Sequence, residues 1–198
     1  MQTLAQHFRQ APIIAGLREA AEVEAAIAKG VQTVFFLGGS IFKLRDLVSR
    51  AADDGLLTFA HVDLTTGIGR DLDGMRFLSE EVGLDGIVTT RSHLIRYAKE
   101  CQLLTIQRVF LLDSESLRTG IQVIRNSQPD AVEVLPALVV PYWTDVLAKE
   151  VQVPIIAGGL IRDQQDIDMV LGGPVVAVST SRKELWQRPG QLDTRDGM

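Results

Sequence analysis

The sequence predicts an α/β fold, a compact (β/α)8 barrel of parallel strands, on three observations. Short apolar runs recur eight times, starting at residues 12, 33, 57, 85, 103, 131, 154 and 175. Successive starts lie 18 to 28 residues apart, the length of a strand, a loop, a helix of about three turns and a return loop. The runs are continuously apolar rather than alternating, as parallel strands are when helices cover one face and packed side chains fill the other.

In order, the predicted strands are PIIAG from Pro12, TVFFL from Thr33, LTFAHVD from Leu57, DGIVTT from Asp85, LLTIQR from Leu103, AVEVL from Ala131, a second PIIAG from Pro154, and VVAVS from Val175. Between them, EAAEVEAAIAKG, SIFKLRDLVSRAADDG and SHLIRYAKE carry apolar residues at three- and four-residue spacing and read as outer helices, the first closed by Lys29 and Gly30. A short helix, RKELW, follows the last run. Eight such units close most economically as a TIM-type barrel, although the fold typically needs about 250 residues, so the loops must be short. An open doubly wound sheet is the alternative, if one or two runs are not strands. Residues 1–186 form the predicted single domain, and the polar, aperiodic residues 187–198 are a tail left out of it.

Composition narrows the function. The chain is 46% hydrophobic and 23% charged with a net charge of -5, so a globally basic coat for nucleic acid is absent and any polyanion must be held by a local patch. The single cysteine, Cys101, excludes an intrachain disulfide framework and a multi-cysteine zinc site and fits a reducing, cytoplasmic setting. No window is apolar enough to span a bilayer, and no leader pattern opens the chain, so no membrane role is expected.

In a parallel barrel, ligand groups gather where strands end and helices begin. The seventh run ends in Gly158 and Gly159 and the eighth in Ser179, Thr180 and Ser181. Glycines admit a close anion, and hydroxyls and amides at a helix start donate to phosphate oxygens, so these two loops form the predicted phosphate site. The same residues also suit a tight turn and a helix cap. His61 and Asp63 stand two apart at the end of the third run and are predicted to share a face, where they can bind a polyhydroxylated ligand or satisfy one another. Metal binding is not expected, because His7 and His93 lie in other segments without ligand spacing. Glu133, flanked by valines, needs a partner or a solvated pocket, and Arg108 is the candidate across the barrel. Gln107 and Arg108 point to opposite faces of a regular strand, so only one lines the interior. No lysine lies in any of the eight runs, which argues against a Schiff-base aldolase.

Several segments together resemble the glycerol uptake operon antiterminator regulatory family: APIIAG, FAHVDLTTGIGRD, DGIVTTRSHLIRYAKE, LLTIQRVFLLDSES, PDAVEVLP, VPIIAGGLI and AVSTSRKELW. The similarity runs from about Phe8 to Trp186. It implies a barrel without catalytic residues or cofactors that binds glycerol 3-phosphate and then acts on a leader mRNA so that transcription passes a terminator. The residues at matching motif positions are His61, Asp63, Gly67, Gln107, Arg108, Glu133, Gly158, Gly159, Ser179 and Ser181; His61, Asp63, Gln107, Arg108 and Glu133 are the expected ligand contacts, and Gly158, Gly159, Ser179 and Ser181, with Thr180 between the last two, the expected phosphate contacts. Two departures are Ala137, where the family usually has Gly after LP, and Ser40, where it usually has an acidic or amide residue.

The residues alone define no RNA site. Arg182 and Lys183, after the eighth run, are the candidates, while Arg91, Arg96 and Lys99 read as a solvated helix face. A homo-oligomer is compatible with the sequence. The competing function is a phosphosugar isomerase or lyase of the phosphate-binding barrel type, with Asp63 or Glu133 as general base.

Overall fold

All eight predicted runs are strands in the protein's structure, a computed structural model that describes residues 2–187. Apart from Gln187, the predicted tail lies outside the described residues. The strands are β1 (Ile13–Leu17), β2 (Thr33–Phe36), β3 (Leu57–His61), β4 (Gly86–Thr89), β5 (Leu104–Phe110), β6 (Ala131–Leu135), β7 (Ile155–Gly158) and β8 (Val175–Thr180). Each pairs in parallel with its sequence neighbours, and β1 pairs with β8, so the sheet closes.

Period-two alternation sorts the strand side chains into two layers. Ile14, Phe35, Phe59, Val88, Ile106 and Ile156 fill the interior together with Phe8. Phe8 belongs to α1 (Leu4–Gln10), whose Thr3 cap satisfies the first turn, and is fully buried against the interior cluster. Phe35 and Phe59 meet edge to face at 5.5 Å. Gly86 makes room for that ring: a Cβ there would lie 2.4 Å from the Phe59 ring.

The other strand face, including Val34, Ala60, Ile87 and Ala157, packs on the apolar stripes of the outer helices. These are α2 (Ala21–Ala28), α3 (Ile41–Asp53), α4 (Leu72–Glu80), α5 (Ser92–Glu100), α6 (Ser114–Ser127), α7 (Thr144–Glu150) and α8 (Gln164–Leu171). Asp71, Asp113 and Asp163 cap α4, α6 and α8 by accepting from backbone amides of the first turn. At the opposite end, Asp85 accepts from both the amide and the hydroxyl of Thr58 at 2.8 and 2.6 Å, and Asp130 does the same for Thr105 at the same distances. This repeated clasp ties β3 to the approach of β4, and β5 to the approach of β6.

Three details depart from eight uniform units. A two-residue ladder joins Gly39–Ser40 to Thr65–Thr66 above β2 and β3. The sixth crossover begins as a 3-10 helix, Ala137–Trp143, containing Pro141, before the short α7. The eighth helix is only a 3-10 turn, Lys183–Leu185, after which Trp186 is buried and donates through Nε1 to Thr180 O at 2.8 Å. Replacing a helix by one buried indole is part of how the barrel closes in so short a chain.

Candidate ligand-binding site

Alternation along β5 decides which of two adjacent polar residues faces inward. Ile106 belongs to the interior cluster, so Arg108 shares its face, and Gln107 faces the helices. Arg108 stands in register with Glu133 on the neighbouring strand β6. The pair is therefore adjacent rather than across the barrel. Arg108 Nε donates to Glu133 Oε2 at 2.6 Å, and Ser179 Oγ donates to Glu133 Oε1 at 2.5 Å. Glu133 is 1% exposed, and its burial among valines is tolerable because both oxygens are engaged. Gly158 lies beside this bond: a Cβ there would fall 2.3 Å from Ser179 Oγ and 2.8 Å from Glu133 Oε1.

His61 joins the same inner layer but finds no hydrogen-bond partner for Nδ1, which is buried. Asp63 Oδ2 is 3.9 Å from that nitrogen, too far to bond. Burial, followed by the charge of Arg108, pushes the imidazole pKa down to about 4, so the ring is neutral near pH 7. Asp63 lies beside His61 without bonding it, and its hydrogen-bond partners come from the next loop. β3 ends at His61, and the chain then turns so that Asp63 accepts from Thr89 Oγ1, Thr90 N, Thr90 Oγ1 and Arg91 Nε. Burial raises its pKa, but the Thr90 and Thr89 hydrogen bonds outweigh that and hold the carboxyl below its ordinary value. Gln107 is fully buried on the helix side, donating to Thr89 O at 3.2 Å, and does not line the cavity.

A cavity of about 650 Å³ opens at the carboxyl ends of the strands. Glu133, Arg108 and Ser179 lie on its wall, with Gly159, Thr180 and Ser181 on the β7 and β8 loops above. Gly159 has φ +77° and Leu160 φ +60°, so two consecutive left-handed residues turn the chain sharply off β7. A leucine in that conformation is strained, a cost that concentrates at ligand-holding loops. Ala137 needs no positive φ: it is buried at the start of the 3-10 helix and donates its N–H to Gly159 O at 3.2 Å. Its replacement of glycine is thus accommodated.

Arg18, after β1, and Arg162, after β7, also line the mouth. Neither was singled out from sequence, although the signal was present, since both follow a PIIAG run and a leucine (PIIAGLR and PIIAGGLIR). Among the described residues, the lining thus holds four arginines, counting Arg108 and Arg182, against the single carboxylate Glu133, in a chain of net charge -5. Arg162 is fixed by two bonds of 3.0 Å to Asp166, and Arg182 by one of 3.0 Å to Glu184. Lys183 pairs with Glu22 at 3.2 Å. Among the described residues, Arg18 is the arginine of this lining without an ion-pair partner. No group of three His, Cys, Asp or Glu side chains converges among them as a metal site.

Fold and cavity together define the class: a (β/α)8 barrel with an arginine-rich pocket at the carboxyl ends of its strands. Over residues 13–186, the chain matches and belongs to the family described as glycerol-3-phosphate responsive antiterminators. A glycerol uptake operon antiterminator regulatory protein from Listeria monocytogenes is 32% identical and superposes with a TM-score of 0.82, covering 88% of this chain and 94% of that one. A glycerol uptake operon antiterminator-related protein from Thermotoga maritima is 30% identical, with a TM-score of 0.78, over 88% and 96%. The Escherichia coli protein YgcP is 30% identical over 90% of this chain and 93% of its own length. Among the described residues, no helix is long and apolar enough to cross a membrane.

Proposed function

We propose that the protein is a glycerol 3-phosphate sensor that controls transcription antitermination by binding a leader mRNA. The observation that carries this reading is the cavity's lining among the described residues, in which four arginines gather with one carboxylate and Arg18 has no ion-pair partner. Such a lining attracts a phosphate ester. The phosphate sits at the Gly159 and Thr180–Ser181 loops, whose backbone amides and hydroxyls donate to it beneath the arginines of the mouth. The hydroxyls reach down to Glu133, Ser179 and Arg108, whose terminal nitrogens have no protein hydrogen bond among the described residues. Hydroxyls suit this floor because each can donate to the carboxylate and accept from the guanidinium.

The floor also supports a regulator rather than an isomerase or lyase. Glu133 has both oxygens engaged, Asp63 is spent on the β4 loop, and no lysine lines the cavity among the described residues. The test is titration calorimetry with glycerol 3-phosphate, glycerol and inorganic phosphate, followed by product analysis. Tight binding of the ester alone, without turnover, is expected. Conversion of the ester, or equal affinity for free glycerol, contradicts the reading.

A further inference from the structure

Around the cavity mouth the loops follow strand order, β5, β6, β7, β8, β1, β2, β3, and their exposed side chains form a pattern. The loops after β7, β8 and β1 carry Arg162, Arg182 and Arg18. On one flank, at the end of β5, Phe110 stands in register with the cavity-lining Leu135 and is 49% exposed, and Leu112 is 80% exposed. On the other flank, at the start of α3, Phe42 is 87% exposed. Leu160, 72% exposed, lies between. Large apolar side chains left this open at a cationic mouth have no explanation in the barrel's own packing.

We infer that this rim is a docking surface for single-stranded RNA, with phosphates held by the Arg18, Arg162 and Arg182 arc and bases stacked on Phe42 and Phe110. The inference rests on the antiterminator reading and assigns its RNA partner to a surface. Charge complementarity selects a polyanion. The flanking rings select an unpaired strand, because bases in a duplex keep their faces stacked on one another, whereas splayed bases stack on aromatic side chains. Among the described residues, Arg18 has no ion pair to break before it engages a phosphate. Because the arginine arc borders the ligand cavity, bound ester lies directly beneath the loops that carry it, which gives a route for the ester to order those loops and bias RNA binding.

Fluorescence anisotropy with a mixed-sequence single-stranded RNA of about 20 nucleotides, and with the same strand annealed to its complement, tests the surface in glycerol 3-phosphate at low salt. The single strand is expected to bind well and the duplex weakly. Phe42→Ala and Phe110→Ala should each weaken single-strand binding about fivefold or more, a typical cost of losing one stacking platform. Their melting temperatures and glycerol 3-phosphate affinities should match the unsubstituted protein. If the unsubstituted protein binds RNA and both variants bind it equally well, this surface is wrong while the antiterminator reading stands. If the unsubstituted protein binds the ester but neither this strand nor a leader mRNA, the antiterminator reading itself falls. A dimer in sedimentation that both substitutions dissolve assigns the rim to contact between copies instead.

Discussion

Ser179 Oγ donates to Glu133 Oε1 at 2.5 Å beside the bare α-carbon of Gly158. The contact joins β8 to β6 past β7, and it holds the carboxylate that forms the cavity floor. Gly158→Ala should therefore destabilise the fold by about 1–3 kcal/mol, because the new methyl group overpacks this site. Urea denaturation checks it. Adding Ser179→Ala should recover part of the loss by removing the oxygen that the methyl group strikes, and strictly additive losses would contradict the geometry.

The Arg108–Glu133 pair is the second element of that floor. Removing one partner leaves the other buried and unpaired, so Arg108→Met alone should cost about 3–5 kcal/mol. The double variant Arg108→Met, Glu133→Leu should recover most of that stability and still fail to bind glycerol 3-phosphate in calorimetry. Retained affinity would assign the pair to structure alone.

The β7 loop makes its own prediction. Gly159 has φ +77°, and an added Cβ would sit 3.3 Å from Leu135, so a β-branched side chain there meets both strain and crowding. Gly159→Val should weaken glycerol 3-phosphate binding by about tenfold or more, whereas Ser181→Ala should cost less because backbone amides remain available to the phosphate. Equal losses in calorimetry would count against a backbone-built phosphate site.

His61 gives the protein a defined acid sensitivity. Its folded pKa of about 4 lies below the ordinary 6.5, so between these values the unfolded chain binds a proton that the folded one excludes. Stability from this group is therefore full above about pH 6.5, falls as the pH drops, and is lost by about pH 4. Between pH 7 and pH 5 the loss should be about 2 kcal/mol. His61→Gln should reduce the slope of urea-derived stability across that window, leaving the part due to His7, whose pKa burial also lowers. Asp63, whose pKa is also lowered, acts at lower pH, where carboxylates titrate. An unchanged slope in His61→Gln would show that the ring is not held neutral.

The sequence made the strands legible because buried parallel strands are unbroken apolar runs, and PIIAG appears twice at corresponding strand ends. Parity along β5 narrowed the inward residue to Gln107 or Arg108, but choosing between them required the register with the interior cluster. Parity alone could not give the partners of Asp63, because period two holds only while the strand continues and β3 stops at His61; the two side chains are neighbours at 3.9 Å, but Asp63 bonds to the next loop. Phe8 was not recognised as part of the interior, since a seven-residue helix offers too few turns for a periodic stripe. The Gly39–Ser40 and Thr65–Thr66 ladder is too short to carry a pattern at all. Arg18 and Arg162 were readable in principle, and looking only at the glycines and hydroxyls of the strand ends passed them over.

In the proposed function, glycerol 3-phosphate controls RNA binding. A gel-shift titration of leader mRNA, with and without saturating glycerol 3-phosphate, tests it most directly. RNA binding should be tighter with the ester and, by linkage, ester affinity should rise by the same factor when RNA is present. Arg182→Ala with Lys183→Ala should weaken that binding and flatten its salt dependence. Identical RNA affinity in the two conditions would contradict the claim.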